Sequence, residues 1–373
     1  MIRRIETPAR CVLPRTFVTC YPRPMTRRVL VMLSMSASLG AAACGGDDPA
    51  GTGGGGTGGT GGQQPGWTVV HEQLPGALLS VWGTGADDVW TVGGDARDGT
   101  GPLVLHYDGS AWERIETGET EGDLWWVFGF DGGPIYMGGA GGVILRYEGG
   151  SFTKMDTPGN GTVFGIWGAS PSDVWAVGGQ ADKEGFAWKV NGDTWEPEPS
   201  LPAADVTDAA IWKVYGRSAS DAVLVGSSGL SYTWDGTALS PADTGVGSSL
   251  FTVHASAERY VAVGGFGTGI VVEYDGSTWT DLSPTSGIVN GLTGVVLSGS
   301  EGGYAVGQFG AVYERSAGSW TEVDTELSVQ DDLHGVWADS DGGVWAVGGK
   351  TASLPLVGGV LIYRGDDAPP SEL

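Results

Sequence analysis

The chain has 373 residues and a formal net charge of −25, and it combines 68 glycines with 16 tryptophans. Residues 1–43 hold seven of the 19 basic residues and one of the 44 acidic ones, so the rest of the chain carries 12 basic and 43 acidic side chains. Such an acidic body argues against nucleic acid as a partner, because nucleic-acid binding depends on clustered Lys and Arg. The three cysteines, Cys11, Cys20 and Cys44, precede every tryptophan, which excludes disulfides and cysteine metal sites from the tryptophan-containing part.

The N-terminal residues predict where the protein is located. Residues 1–24 contain four prolines and no periodic pattern, and we interpret them as a non-native extension or as unstructured. Residues 25–43 join two arginines to an apolar run with a small-residue end, which predicts a secretory signal peptide. The segment Ala41-Ala42-Ala43-Cys44 resembles the bacterial lipobox, which implies a lipidated Cys44 and attachment to the cell envelope, at the outer membrane or the cell surface. The alternative is cleavage after Ala43 and a free periplasmic protein.

A glycine-rich segment separates Cys44 from the first tryptophan, Trp67. Residues 45–66 include twelve glycines, a composition typical of a flexible linker. Its typical reach is roughly 25 Å, which would hold a domain away from a membrane surface. Residues 44–66 are therefore predicted to be a lipidated cysteine with its linker, so that the membrane contact runs through the lipid alone.

From Trp67 onward one short sequence motif recurs, which we call the recurrent phrase. It reads Val-Trp-Thr-Val-Gly-Gly at residues 89–94 and Val-Trp-Ala-Val-Gly-Gly at residues 174–179 and 344–349. Weaker copies lie at residues 135–139, 223–226, 260–265 and 304–307, and the mean spacing is about 42 residues. An apolar segment lies ten or eleven residues before each copy, and two further apolar segments follow most copies. Four short strands in each repeat are typical of a propeller blade.

The two ends of the repeat array complete one another. The seventh repeat ends at Gly365 without a fourth strand, and residues 67–70 form an apolar segment with no repeat of their own. Joining the two would remove exposed sheet edges, which invite aggregation. The sequence thus predicts an all-β, seven-bladed β-propeller over residues 67–365, closed by strand 67–70, with a disordered tail at 366–373 and a monomeric state.

The repeats resemble known propeller families. The double glycine that ends the second strand, the tyrosine of the third strand and the tryptophan that opens the fourth resemble the kelch/galactose-oxidase repeat. The turns Asp108-Gly109-Ser110 and Asp275-Gly276-Ser277, each followed two residues later by tryptophan, are similar to the Asp-box of sialidase-like (BNR) and photosystem-assembly-factor-like propellers. The resemblance implies a propeller and adds an assembly-factor role to the possible functions.

Segment lengths predict which face carries function. The connections from first to second strand and from third to fourth strand are nearly constant, whereas those on the opposite face vary, and variable loops are where binding residues concentrate. The charged residues of these variable connections are the candidate ligand-binding residues: Asp95, Arg97, Asp98, Glu119, Glu121, Asp123, Asp182, Lys183, Glu184, Asp331, Asp332 and Lys350. They predict either a rim that binds Ca²⁺, a cationic ligand or a basic partner, or solvated loop charge.

Three functions stay open from the sequence. The first is a lipid-anchored binding or scaffold module for a protein or glycan, without catalysis and without a required cofactor. The second is a carbohydrate-active hydrolase or lyase that uses carboxylates at the mouth of the central channel, although spacing alone selects no carboxylate pair. The third is an assembly factor. The four histidines are scattered one to a repeat without metal-ligand spacing, and His254 and His334 lie in predicted first strands that line the channel.

Overall fold

A computed structural model describes residues 66–284 and 289–373, and within them 28 strands form seven antiparallel sheets of four. The predicted all-β, seven-bladed propeller is confirmed. The signal peptide, Cys44 and the linker to residue 65 lie outside the described residues, so they remain predictions. Within the described part, no helix is long and apolar enough to cross a membrane.

The strands follow one another blade by blade. The first strand and those of blades 1 to 3 are β1 (Trp67–Leu74), β2 (Leu78–Gly85), β3 (Asp88–Asp95), β4 (Pro102–Tyr107), β5 (Trp112–Arg114), β6 (Leu124–Gly129), β7 (Ile135–Gly139), β8 (Ile144–Glu148), β9 (Ser151–Lys154), β10 (Thr162–Ser170), β11 (Asp173–Gln180), β12 (Lys183–Asn191) and β13 (Thr194–Pro197). Those of blades 4 to 7 are β14 (Ile211–Ser218), β15 (Asp221–Gly226), β16 (Ser231–Trp234), β17 (Leu239–Pro241), β18 (Leu250–Ala255), β19 (Tyr260–Gly264), β20 (Ile270–Tyr274), β21 (Trp279–Asp281), β22 (Leu292–Ser298), β23 (Gly302–Gly307), β24 (Val312–Ser316), β25 (Ser319–Glu322), β26 (Asp332–Ala338), β27 (Val344–Lys350) and β28 (Val357–Arg364).

The ring closes as the sequence predicts. The first strand of each blade contacts the first strand of the next, from β2 through β26, and β26 contacts β2. Strand β1 pairs antiparallel with β28 and supplies the fourth strand of blade 7, with Trp67 opposite Arg364 and Leu74 opposite Gly359. It extends to Leu74, four residues beyond the predicted 67–70, because His71 and Leu74 also find partners in β28.

The recurrent phrase forms the second strand of each blade. Its tryptophans Trp90, Trp175 and Trp345 are buried between neighbouring blades. Trp175, for example, packs edge-to-face on Trp234 of the next blade with ring centroids 5.0 Å apart. This packing of one sheet on the next stabilises the ring, since tryptophan buries a large apolar area. Residues 366–373, after the last strand, contain no helix or strand.

The two faces of the ring differ as segment lengths predict. One face carries short turns such as Asp108-Gly109-Ser110, in which Asp108 Oδ1 accepts hydrogen bonds from the backbone N–H groups of Ser110 and Ala111. A hydrogen bond from the Ser110 hydroxyl, together with these backbone bonds, lowers the pKa of Asp108 to about 2. The opposite face, which we call the variable face, carries the connections from second to third strands and between blades. Three of the former are single 3-10 turns, at Ala140–Gly142, Ser227–Gly229 and Gln308–Gly310.

Candidate binding site at the channel mouth

The first strand of every blade carries a β-bulge near its variable-face end. In β2, Leu78 pairs with Gly93 and Ser80 with Val92, which leaves Leu79 as the extra residue. The same interruption occurs in the first strands of the other six blades, at the residue directly after a buried apolar residue. A bulge bends its strand and re-aims a side chain. The seven bulged residues are Leu79, Trp125, Phe164, Trp212, Phe251, Thr293 and His334.

The glycine of the recurrent phrase is coupled to this bulge. The residue that pairs with the position before each bulge is glycine in all seven blades, as in Leu78–Gly93 and Val163–Gly178. A Cβ atom on Gly178 would collide with the carbonyl oxygen of Thr162, and one on Gly93 would collide with that of Ala77. Glycine therefore lets the two backbones approach closely at the bulge. The glycine of the recurrent phrase and the bulged residue of the first strand therefore depend on the same local backbone geometry.

Aromatic bulge residues form a continuous wall around the channel mouth. Trp125 and Phe164 lie edge-to-face with centroids 5.3 Å apart, and Phe164 contacts Trp212 at 4.5 Å. Trp212 contacts Phe251 at 5.6 Å, and Phe251 contacts the exposed Phe266 at 4.8 Å. Five rings from four adjacent blades thus present faces and edges to the same space.

These rings enclose a cavity of about 420 Å³ that opens on the variable face. Its polar lining includes Lys213, Thr293, Gln308, Asp332, His334 and Thr351. Concave sites with mostly aromatic walls and a few polar groups are typical of ligand-binding sites. The sequence prediction placed a ligand on the variable face around the channel, and this cavity lies there.

Lys213 lies one residue beyond Trp212 in β14 and is only 4% exposed. Its Nζ donates a hydrogen bond to the carbonyl oxygen of Phe164 at 2.6 Å and lies 3.4 Å from the centroid of the Trp126 ring. No carboxylate pairs with it among the described residues, and burial holds the pKa of its amine well below the ordinary value. The neighbouring Gly165 leaves space for the Lys213 side chain, because a Cβ atom at residue 165 would lie 3.1 Å from Lys213 Cδ.

Two channel histidines are held neutral by burial, which lowers the pKa of both His254 and His334 to about 4. The Nδ1 atom of His334 lies 2.6 Å from the carbonyl oxygen of Leu79, so this nitrogen carries the proton and donates. Nε2 of the neutral ring is therefore an acceptor. In His254 the arrangement is reversed, because Nδ1 accepts from the backbone N–H of Leu297 at 3.2 Å. Both bonds join neighbouring blades.

Four of the predicted site residues engage one another or a nearby lysine. Arg97 binds Asp95 at 2.9 Å and Asp123 at 3.1 Å, and both carboxylates are buried. Asp95 also accepts from the backbone N–H groups of Arg97 and Gly122. Glu119 pairs with Lys154 at 2.8 Å. The structure thus gives these charges internal partners that join blade 1 to blade 2.

One of the predicted residues lines the cavity, and a second contacts one of its rings through a serine. Asp332 lines it directly and accepts from the backbone N–H of Phe309 and the Thr351 hydroxyl, both at 3.1 Å. Asp182 acts one bond further away: Ser227 donates to Asp182 at 3.2 Å and accepts from the indole N–H of Trp212 at 3.1 Å. Asp182 therefore helps to orient a cavity ring.

The remaining predicted residues lie elsewhere. Asp331 and Lys350 line a separate cavity of about 310 Å³. Asp98 accepts from Thr100, and Glu121 is exposed. Lys183 and Glu184, expected in a long loop, begin strand β12, because β11 and β12 continue outward to a tight turn. Within the described ranges, no three His, Cys, Asp or Glu side chains come together as a possible metal site.

The aromatic wall was missed by sequence reasoning, which searched for charge. A signal was present: the residue directly after each buried apolar residue that opens a first strand is aromatic in four consecutive blades. Ordinary strand alternation does not predict that these residues face the channel. The bulge, which exists only in the paired sheet, turns them toward the channel.

The fold has many counterparts among solved structures. YCF48 bound to a D1 peptide aligns with a TM-score of 0.61 and 16% identity, over 82% of this chain and 100% of that one. The virginiamycin B lyase from Staphylococcus aureus aligns with a TM-score of 0.63 and 8% identity, over 80% and 100%. The WD40 propeller domain of Doa1 aligns with a TM-score of 0.60 and 14% identity, over 81% and 98%. At these identities the likeness is one of fold. No protein-family model and no curated protein sequence matches the chain.

Proposed function

We propose that the protein is a non-catalytic binding module of the cell envelope, attached through a lipidated Cys44, which receives part of a protein ligand in the aromatic cavity of its variable face. The observation that carries the proposal is the wall formed by Trp125, Phe164, Trp212 and Phe251. Aromatic side chains in a desolvated pocket supply most of the binding energy in protein interfaces. They also lose little side-chain entropy when a ligand binds.

The shape of the site favours a protein ligand. The cavity of about 420 Å³ accommodates one or two side chains, while the surrounding variable connections offer further contact area. One of the fold neighbours, YCF48, is known bound to a peptide. An assembly-factor role would be one form of the same activity. Membership of the kelch or the Asp-box subfamily is part of this proposal and rests on the repeat phrases alone.

A hydrolase or lyase is the second candidate, since the virginiamycin B lyase shares the fold. Hydrolysis of a glycoside needs two carboxyl groups that flank the scissile bond. Among the described residues that line the cavity, Asp332 is the single carboxylate. The neutral His334 and the Lys213 amine, whose pKa burial lowers, are the other groups there able to accept a proton. The site therefore supports binding better than it supports glycoside chemistry.

The binding proposal is tested on arrays of peptides and glycans with the purified domain. We expect binding to peptides that falls at least tenfold in Phe266→Ala, which removes an exposed ring at the cavity rim, and that is unchanged in Phe309→Ala. Phe309 is a matched control because its side chain is also exposed on the variable face but does not line the cavity, and alanine retains the backbone N–H that donates to Asp332.

Three results would contradict this proposal. Binding to glycans alone would replace the protein ligand, and equal binding by both variants would move the site away from the cavity. Turnover in a glycosidase panel, lost in Asp332→Asn, would convert the binding module into an enzyme. The attachment is tested separately by mass spectrometry of the mature N-terminus, where we expect acylation at Cys44 that is absent in Cys44→Ala.

A further inference from the structure

The carboxylate of Asp332 differs from three other acidic residues predicted for the site. Asp95 and Asp123 are bound by Arg97, and Glu119 by Lys154. Asp332 accepts two hydrogen bonds, from Phe309 N and the Thr351 hydroxyl, but no Lys or Arg pairs with it in residues 66–284 and 289–373. Its negative charge thus lies at the cavity without a neutralising cation.

The aromatic wall next to Asp332 suits a cation as well as an apolar group. Trp125 and Phe164 are inclined by 86°, and Trp212 and Phe251 by 74°, so ring faces from several directions border the cavity. A cation is attracted to the face of an aromatic ring.

Burial disfavours the charged forms of the two basic groups that line the cavity. Burial holds the pKa of the Lys213 amine well below its ordinary value. Burial also lowers the pKa of His334 to about 4, so near pH 7 its ring presents a neutral acceptor at Nε2. Burial therefore disfavours positive charge at the cavity lining, where Asp332 is the single carboxylate among the described residues.

The charge of the whole chain acts in the same direction. Its formal net charge is −25, and the part that follows residue 43 holds 43 acidic against 12 basic side chains. A field of this sign raises the local concentration of cationic ligands and repels anionic ones. Both the local and the overall electrostatics thus select the same type of ligand.

We propose that the group that enters the cavity is the side chain of a lysine or arginine on a basic segment of the protein ligand, with its charge between Asp332 and the aromatic wall. This inference rests on the proposed function and adds the chemistry of the ligand to it. The alkyl part of such a side chain contacts the rings, and its nitrogen atoms reach the carboxylate.

The test uses pentapeptides that differ at one position. Gly-Gly-X-Gly-Gly is prepared with lysine, arginine, norleucine and glutamate at X, and tryptophan fluorescence or calorimetry of the purified domain gives each affinity. Norleucine has the alkyl chain of lysine without the charge. We expect the lysine or arginine peptide to bind roughly tenfold more tightly than the norleucine peptide. This ratio should fall as salt screens the charge.

Two pairs of variants locate the effect. Asp332→Asn should abolish the preference for a basic side chain, whereas Asp331→Asn, which makes the same charge change at a partly exposed neighbour outside the cavity lining, should preserve it. Phe266→Ala should weaken binding of the lysine peptide, and Phe309→Ala should not. All four substitutions lie at exposed or partly exposed positions, so folding is preserved.

Equal or tighter binding of the norleucine peptide would overturn the cation inference, as would equal effects of the Asp331 and Asp332 variants or no detectable binding of any peptide. The proposed function fails differently. If the norleucine peptide binds and Phe266→Ala abolishes that binding, the channel mouth is still the binding site and only the charge of the ligand is wrong. If Phe266→Ala changes nothing on the peptide arrays, the site itself is wrong.

Discussion

At the scale of single residues, glycine is the most informative residue type of this protein. Each copy of the recurrent phrase contributes a glycine opposite the bulge of a first strand, as Gly178 lies opposite Val163. The sequence identified the repetition of this glycine, but its reason is a close approach of two backbones that only the paired strands reveal. The repeated glycine therefore indicates where two backbones must approach closely so that the bulged residue is oriented toward the channel.

Replacing such a glycine tests this explanation. Gly178→Ala should lower the free energy of unfolding by about 1–3 kcal/mol, because its Cβ has no space beside the Thr162 carbonyl oxygen. Chemical denaturation gives the value. Gly247→Ala is the control, since Gly247 is exposed and a Cβ there meets nothing within 4 Å. Equal stability of the two variants would contradict the close-approach explanation.

Lys213 is a buried base, and its effect on the free energy of unfolding depends on pH. Its native pKa lies well below the ordinary value, so below pH ~10.5 the unfolded chain binds a proton that the native state excludes. The free energy of unfolding of the native sequence therefore falls as pH decreases from about 10 toward the lowered native pKa. Lys213→Met removes this dependence.

We accordingly expect the melting temperature of Lys213→Met, relative to the native protein, to increase between pH 10 and pH 7. The loss of the hydrogen bond to Phe164 lowers the stability of the variant at both pH values, so the comparison isolates the protonation effect. A difference that is the same at pH 10 and pH 7 would show that the amine is charged in the folded state.

At the scale of elements, the closure of the ring depends on one strand. Strand β1 covers the edge of β28 and buries Trp67, Val70 and Leu74 in blade 7. Burial of each such side chain contributes about 1.5–3 kcal/mol, and an uncovered edge offers unpaired backbone groups to other chains. The sequence placed this strand correctly because the seventh repeat lacks a fourth strand.

Removing β1 should therefore destabilise the ring and promote aggregation. A chain that begins at Gly76 is expected to lose several kcal/mol of unfolding free energy and to associate, whereas a chain that begins at Gly66 keeps β1 and should behave as the full chain does. Thermal melting with size-exclusion chromatography distinguishes them. Unchanged melting of the shorter chain would show that the ring holds without β1.

At the scale of the whole molecule, excess negative charge opposes the compact state. With a net charge of −25, repulsion among carboxylates exceeds the attraction of the few ion pairs that the described residues form. Most of these pairs, such as Lys154 with Glu119, are solvent-accessible and contribute little. Screening should then stabilise the fold.

We expect the melting temperature to rise by a few degrees when NaCl is raised from about 10 mM to 150 mM, because the Debye length shortens from about 30 Å to about 8 Å. Scanning calorimetry at constant pH measures this effect. A melting temperature that falls with NaCl would mean that ion pairs such as Arg97 with Asp95 and Asp123 dominate the electrostatics of the fold.

By itself, the sequence determined the architecture: the number of blades, their four strands, the closure by the N-terminal strand and the face that varies. Each of these follows from a repeat period and from apolar alternation, which are local properties repeated seven times. The tertiary structure decided which residues form the site. Whether Asp95 meets Arg97 or solvent, and whether Trp212 faces a neighbouring blade or the channel, depends on strand register and bulges. These arise only when separate strands pair, so spacing along the chain could not reveal them.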